Sequence, residues 1–188
     1  YRAVSNYYGE VEFGDGLTVK ASDRIMTTHG GEVTVDGAEL LKSEKDGFAL
    51  FNSYYAFGAD DENNTDNDAN ASAKLIVESG TIKVSNYAIT GNCLRSAGTE
   101  VTIKGGELIA KDTGTAIYWP MEGTLDVKGG YIEGGTGIEA KMGTINISGD
   151  AEIVGTREYK ETRPSGDGNS EQGSALFIGS QKYGNVPT

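Results

Sequence analysis

The residues best suited to chemistry form an acidic cluster in one polar stretch, GADDENNTDNDANAS, residues 58–72. Hard cations such as Ca²⁺ bind six to eight oxygen atoms, and clustered carboxylates supply such ligands. The stretch lacks the central glycine and the closing glutamate of an EF-hand loop, and the Gly-Gly-x-Gly-x-Asp repeat of calcium-binding β-rolls is absent. A calcium site and a solvated acidic loop therefore both stay open. The candidate metal ligands are Asp60, Asp61, Glu62, Asp66 and Asp68.

Aromatic side chains are the second candidate for a binding site. Several lie at or near short segments of the type Gly-x-Ala-hydrophobic. If the hydrophobic residue points inward, the next residue points outward, because side chains alternate along a strand. Exposed rings on a rigid sheet suit sugar rings or a protein hot spot, unless a loop covers them or Trp119 points into the core. The candidate binding residues are Phe51, Tyr54, Tyr55, Tyr118, Trp119 and Phe177.

No residue is predicted to be catalytic from the sequence. Cys93 and His29 are the only cysteine and histidine, and nothing brings them together. Glycoside hydrolysis needs two carboxyl groups at a set separation on a rigid face. Asp126 and Glu139 fall on expected strands, but no acidic residue occupies the equivalent place in an adjacent repeat. An enzyme is therefore the alternative, and a non-catalytic protein is the preferred interpretation.

Composition narrows the choice of partners. Of the 188 residues, 28 are acidic and 16 are Lys or Arg, which gives a net charge of −12. This charge argues against nucleic acid and anionic membranes as partners, since both bind positive surfaces. No apolar stretch approaches the length of a membrane span, and one cysteine cannot form a disulfide within the chain. Because the sequence begins at Tyr1 without methionine, we expect a piece of a longer protein.

Two linked motifs repeat along the chain and predict the fold. The first is apolar-x-apolar, a glycine-rich turn, and an apolar residue seven or eight places after the first. Its copies pair Val11 with Val19, Val33 with Leu40, Leu75 with Ile82, Val101 with Leu108, Leu125 with Ile132, and Ile145 with Ile153. The second motif follows at Gly47–Leu50, Asn86–Ile89, Gly114–Ile117, Gly135–Ile138 and Gly173–Leu176.

Repeats of this length cannot bury an apolar face alone, but they can when they stack. The sequence therefore predicts an all-β protein, a single-stranded parallel β-helix of about six short coils with glycines at its corners. The right-handed sense is expected from the usual chirality of parallel crossovers. A sandwich of short antiparallel strands is the alternative, but it does not explain two motifs repeating in the same order.

We expect the strands and loops that carry the candidate residues to form one domain, residues 1–188. Two polar segments, 58–72 and 156–172, interrupt the coils and are expected to be loops that leave the solenoid at a corner. The first ten residues, YRAVSNYYGE, fit no copy of the repeat. We expect them to cap the open end of the solenoid, which would otherwise expose strand edges and core.

The stretch from Gly114 to Thr156, with GTAIYWP, GGYIEGGTGIE and the later insertion before GSALFI, resembles the pectin-lyase-like β-helix repeats of large surface proteins of Gram-positive gut bacteria. Fragments such as DD at Asp60–Asp61 and NTD at Asn64–Asp66 look like pieces of a polygalacturonase signature, but they are crowded into one insertion. The resemblance covers roughly residues 75–180. It implies an extracellular location at the bacterial cell surface and no reaction, because fold alone does not define function.

These observations lead to a functional expectation. The preferred hypothesis is a non-catalytic surface module that adheres to or binds a host glycan or protein. The alternatives are a lyase or hydrolase that acts on acidic polysaccharides and a passive spacer. No cofactor is required, although calcium stays possible at the acidic stretch. Other domains of the same surface protein are further expected partners.

Overall fold

A computed structural model of the chain describes residues 1–50, 73–91, 98–111, 114–159 and 173–179. Within these ranges all regular structure is β, and the strands form three parallel sheets. The chain visits the sheets in a fixed order, A then B then C, and then begins the next coil. This topology is a parallel β-solenoid, as the repeats predict. No described segment forms a helix of the length and apolar character that crossing a membrane would require.

Each sheet receives one strand from every coil. Sheet A comprises β1 (Val4–Asn6), β4 (Arg24–Thr28), β7 (Asp46–Leu50), β10 (Ile89–Gly91), β13 (Thr115–Trp119), β16 (Thr136–Ala140) and β19 (Leu176–Ile178). Sheet B comprises β2 (Glu10–Phe13), β5 (Gly31–Val35), β8 (Ala73–Val77), β11 (Glu100–Ile103), β14 (Thr124–Val127) and β17 (Thr144–Ile147). Sheet C comprises β3 (Thr18–Ala21), β6 (Leu40–Ser43), β9 (Thr81–Val84), β12 (Glu107–Ala110), β15 (Tyr131–Gly134) and β18 (Glu152–Gly155).

Sheet B has the register that the first motif predicts. Its inward column stacks aliphatic residues from every coil, and the residues between them, such as Thr102 and Asp126, lie on the outer face. This stacking buries each short strand against its equivalents above and below, which no strand of this length could achieve alone. The column contains Val11, Val33, Leu75, Val101, Leu125 and Ile145.

One predicted strand register is wrong in sheet C. Leu41, not Leu40, lies opposite both Val19 and Ile82, so the second coil has the longer form of the motif. The difference matters because a shift of one residue exchanges the inner and outer faces of a strand. Leu41 is fully buried in the core. The other inward positions follow the prediction, as Leu108, Ile132 and Ile153 share this column.

Glycine occupies the corner between sheets B and C in every coil at a positive φ angle. Gly106 illustrates the reason: its φ is +84°, and a Cβ atom there would lie 2.7 Å from the carbonyl oxygen of Gly80 in the preceding coil. A side chain would be both conformationally strained and in collision with the backbone. The six corner glycines are Gly16, Gly37, Gly80, Gly106, Gly130 and Gly149.

The N-terminal residues belong to the first coil. The sequence assigned residues 1–10 to no coil, but Val4–Asn6 forms β1, the terminal strand of sheet A, and pairs in parallel with β4. The following turn leads directly into β2 of sheet B. Tyr7 and Tyr8 therefore lie at the corner between sheets A and B, which we call the A–B corner.

Candidate functional site

The sequence predicts exposed aromatic rings on the outer face of sheet A, but the structure places one of these candidates, Trp119, elsewhere. Trp119 is fully buried in the hydrophobic core, so its ring is not a surface group. The strand β13 alternates, and Ile117 and Trp119 point inward while Tyr118 points outward. Leu50 of β7 and Gly91 of β10 precede Trp119 in the same inward column. The structure therefore agrees with the alternative interpretation, in which Trp119 packs in the core.

Tyr118 lies on the outer face, but it is covered. Its side chain is 5% exposed and its ring stacks on Tyr87, with centroids 5.4 Å apart and an angle of 27° between the planes. Glu139 and the half-buried Phe177 share its column. In β7, Ala49 occupies this column rather than Phe51, because Phe48 pairs with Ile89. Among the described residues, this face therefore does not present the predicted row of exposed rings.

A buried ion pair lies on the same outer face. Lys141 Nζ is 3.1 Å from Glu139 Oε1, and both side chains have no exposure to solvent. They are two positions apart in the sequence, with only Ala140 between them, so they point to the same side at the end of β16. Removing both charges from water is costly unless they are paired, as they are here. Asp126, the other acidic candidate on a strand, accepts a hydrogen bond from Asn146 Nδ2 at 2.7 Å on sheet B. The two carboxylates thus lie on different sheets.

Several predicted site residues lie outside the described residues. They include the aromatic candidates Phe51, Tyr54 and Tyr55. The candidate calcium ligands also lie there: Asp60, Asp61, Glu62, Asp66 and Asp68. Within the ranges that the structure does describe, no group of three or more His, Cys, Asp or Glu side chains is placed to hold a metal ion.

The A–B corner presents a pair of exposed aromatic rings that the sequence did not single out for binding. Tyr7 is 54% exposed and Tyr8 is 53% exposed. The ring of Tyr7 stacks on the buried His29 of the next coil, with centroids 4.5 Å apart and planes at 14°. This distance is close to the spacing between adjacent strands, so the two rings stack as neighbouring rungs. One face of Tyr7 is therefore held by the solenoid.

Hydrogen bonds from Asn6 fix the turn that carries both rings. The backbone N–H of Gly9 donates to Asn6 Oδ1 at 2.8 Å, and Asn6 Nδ2 donates to the Gly9 carbonyl oxygen at 2.8 Å. Asn6 Nδ2 also lies 3.2 Å from Thr28 Oγ1, which ties the turn to β4. A closed turn of this kind limits the motion of the two residues it encloses, Tyr7 and Tyr8.

Tyr8 has an unusual backbone conformation. Its φ angle is +65°, and it is the only described residue other than glycine with a positive φ. Bulky side chains rarely adopt this conformation because it is strained, and such strain is concentrated at functional sites. The ring lies against Gly30, where a Cβ atom would be 2.4 Å from Tyr8 Cδ1. A side chain at residue 30 would displace the ring, so the glycine makes room for it.

Long connections between strands occur at two corners of the solenoid, and the A–B corner is one of them. Residues 51–72 connect β7 of sheet A to β8 of sheet B, and residues 92–97 lie in the equivalent connection from β10 to β11. Solenoids often gather their insertions on one side, and that side is frequently the binding side. The long connection between β18 and β19, however, runs from sheet C to sheet A, so the insertions are not gathered at the A–B corner alone.

The outer face of sheet C holds a tyrosine in a strongly acidic environment. The Tyr131 hydroxyl donates a hydrogen bond to Glu133 Oε2, and Glu107 and Glu152 flank Tyr131 on adjacent strands. The hydrogen bond to Glu133, with smaller effects of desolvation and of the charges of Glu133, Glu152 and Glu107, raises the pKa of Tyr131 to about 12. A phenolate is disfavoured beside these carboxylates, so this region carries a negative potential.

The pKa of Tyr131 gives a testable pH dependence. Because the folded-state pKa lies above the normal value of 10.0, the contribution of Tyr131 to stability is constant below pH 10 and is lost between pH 10 and about 12, where the unfolded chain loses the proton first. We expect Tyr131→Phe to remove one phenolate titrating near pH 12 from the absorbance curve. Glu133→Gln should move that titration back toward pH 10. An unchanged curve in both variants would contradict the assignment.

Comparison of the chain with protein-family models, with curated proteins and with solved structures gives no match. The geometry of the A–B corner and the charges on the sheets are therefore the basis on which a function can be inferred.

Proposed function

We propose that this chain is a non-catalytic binding module of an extracellular bacterial surface protein, and that it binds a host ligand through Tyr7 and Tyr8 at the A–B corner. The observation that carries the proposal is the pair of half-exposed rings on the turn that Asn6 closes, with Tyr8 packed against Gly30. Rigid aromatic rings lose little conformational entropy on binding, which favours affinity. A glycan is the ligand class that this surface suits best.

The chemistry of the two rings supports a glycan over a second apolar protein surface. The C–H faces of a sugar ring can pack on an aromatic face while its hydroxyl groups stay hydrated or bind polar neighbours. Tyr7 and Tyr8 offer both ring faces and hydroxyl groups. The same rings could serve as a protein hot spot, since tyrosine is enriched there.

The extracellular location is proposed on two grounds. Residues 114–156 resemble β-helix repeats of Gram-positive surface proteins, and the net charge of −12 favours solubility of an exposed module. A continuous parallel solenoid without long free strands also suits a stiff, exposed protein, because its interior strands are paired on both edges.

We expect Tyr8→Gly to abolish ligand binding while leaving stability almost unchanged. Glycine adopts the φ of +65° without strain, so loss of the ring is not confounded by misfolding. Tyr7→Ala should weaken binding about tenfold or more, the usual effect of removing a hot-spot aromatic. Binding is measured on an array of neutral and acidic glycans and then by calorimetry with the strongest glycan.

Tyr159→Ala is the matched control, since Tyr159 is 63% exposed but lies far along the chain after β18. It should bind like the wild type. Full binding by Tyr8→Gly would overturn the proposed site, and no binding to any glycan by the wild type would favour the passive spacer. Release of reducing or unsaturated ends from pectin-like polysaccharides, with or without calcium, would contradict a non-catalytic module.

A further inference from the structure

The outer face of sheet C is divided by charge into two halves. The lysine half consists of Lys20, Lys42 and Lys83 on β3, β6 and β9. The acidic half consists of Glu107, Glu133 and Glu152 on β12, β15 and β18. All six side chains belong to the outward set of alternating positions, and none is buried. The face is therefore positive toward one end of the solenoid and negative toward the other.

The lysine half is unusual in a protein with a net charge of −12. Lys20 lies directly opposite Lys42, and Lys42 directly opposite Lys83, so the three form a ladder. Neighbouring rungs are about 4.8 Å apart, and like charges facing each other across strands are destabilising. None of the ion pairs found among the described residues includes any of the three.

The acidic half is not a ladder of the same kind, because only Glu133 lies in the column of the three lysines, where Ile109 and Val154 are its neighbours. Glu107, Tyr131 and Glu152 are in register on adjacent strands, and Glu133 follows on β15. The raised pKa of Tyr131 reports the same concentration of negative charge. Ile109 of β12 pairs with Lys83 and lies at the boundary between the halves.

We propose that this face binds the same face of a second copy of the chain, forming a two-fold symmetric dimer whose solenoid axes run antiparallel. A two-fold interface must be complementary to itself, and a face with opposite charges in its two halves meets that requirement. The inference is independent of the proposed glycan site, since Tyr7 and Tyr8 lie at the A–B corner and not on the outer face of sheet C.

The charges select one orientation of the dimer. A two-fold axis parallel to the strands, passing between β9 and β12, places β6 of one copy opposite β15 of the other. Lys42 then faces Glu133, while Lys83 and Lys20 come near Glu107 and Glu152. An axis parallel to the solenoid would instead place each lysine opposite its own equivalent, which repulsion excludes.

Two further charges at the edge of the face fit the same orientation. Glu44 follows β6 and Lys111 follows β12, and each has the sign opposite to its half of the face. Because β12 of one copy lies opposite β9 of the other, Lys111 faces the end of the partner copy's β9 and lies diagonally from Glu44, which follows the neighbouring strand β6. These exposed residues thus add a complementary pair rather than a conflict.

The size of the face predicts a weak dimer. Six strands at the normal spacing span about 24 Å, and four residues per strand span about 13 Å, so each copy contributes roughly 300 Å². Stable complexes bury about 800 Å² per partner. We therefore expect a dimer that forms at micromolar or higher concentration, seen as concentration-dependent sedimentation.

Charge reversal tests the pairing. Lys42→Glu places a glutamate opposite Glu133, and Glu133→Lys places a lysine opposite Lys42, so each variant should dimerise about tenfold to a hundredfold more weakly than the wild type. Mixing the two variants should restore dimers, because both contacts in the mixed pair then join opposite charges. The double variant, Lys42→Glu with Glu133→Lys, should dimerise by itself.

Lys74→Glu and Glu100→Lys are the matched controls, since they make the same charge changes on the outer face of sheet B. Both should sediment like the wild type. A wild-type chain that stays monomeric at millimolar concentration would overturn the dimer. So would failure of the mixed variants to associate. Retention of a monomer on an anionic polysaccharide, lost in Lys42→Glu and kept in Glu133→Lys, would overturn it in favour of a polyanion on the lysine half.

Discussion

Replacing Trp119 with alanine should lower the free energy of unfolding by about 3–5 kcal/mol, the usual cost of removing a large aromatic side chain from a core. Trp119 is fully buried, and Gly91 and Ala140 occupy the equivalent inward positions of the two neighbouring coils, adjacent along sheet A. A Cβ atom at Gly143 would lie 2.9 Å from Trp119 Nε1, so this glycine leaves room for the indole ring, and it has no side chain to fill the cavity that loss of the ring would create. Denaturant unfolding followed by circular dichroism measures the change.

A conservative replacement separates the loss of volume from the loss of the indole N–H. Trp119 Nε1 is buried and has no hydrogen-bond partner within the described part of the chain. Trp119→Phe removes this unsatisfied donor along with part of the ring, so its cost should be clearly smaller than that of alanine. Tyr159→Ala, at an exposed position, is the control and should change stability by less than about 0.5 kcal/mol. Equal costs for the three variants would refute the core position of Trp119.

The second large effect concerns the buried ion pair on the outer face of sheet A. We expect Lys141→Met to destabilise the fold by about 3–5 kcal/mol, because Glu139 would stay buried without this counter-charge. Removing both charges, in Glu139→Leu with Lys141→Met, should recover most of that loss. The interaction energy from the full double-variant cycle is the measured quantity.

An exposed ion pair supplies the comparison. Lys104 Nζ lies 2.6 Å from Glu78 Oε1, with the two side chains 48% and 35% exposed. Lys104→Met should therefore cost about 0.2–1 kcal/mol, since solvent screens the pair and both groups can be hydrated. If Lys141→Met costs no more than Lys104→Met, the Glu139–Lys141 pair is not held away from water as the structure has it.

Much of the fold could be predicted because its signal is periodic and local. The aliphatic residues of sheet B were assigned to one column from their spacing, and the strand pairings place Val101, Leu125 and Ile145 in that column. Glycine at the corners follows from the positive φ that the turn between sheets B and C requires. Both features depend on residues within a single coil.

The register of sheet A was predicted only in part, and the reason is the two-residue period of a strand. Leu50 was aligned with Ile117, but Phe48 occupies that column and Leu50 lies two residues further along. A shift of two residues keeps each side chain on the same side, so Leu50 is still in the core. At Leu40 and Leu41 the error was one residue, which exchanges the faces.

The candidate sites depended on contacts between coils, which sequence spacing does not contain. Alternation alone would have turned Trp119 inward once Ile117 was assigned to the core, but it could not show that Tyr87 stacks on Tyr118. The residues of the A–B corner had only a weak signal in the sequence: Asn6 lies three residues before Gly9, and Gly30 and Gly31 are adjacent. The role of these residues depends on contacts between two neighbouring coils.

The sequence by itself determined the all-β repeat, the inward aliphatic columns and the glycine corners, because each follows from local conformation and from a period within one coil. Tertiary structure decided which outward residues meet. Lys20, Lys42 and Lys83 are separated by 22 and 41 positions in the sequence, and they become neighbours only because coils of unequal length return to the same register. Packing restricts the inward positions to apolar residues, whereas solvent accepts many residue types at the outward positions. Which outward residues become neighbours therefore depends on how the coils stack.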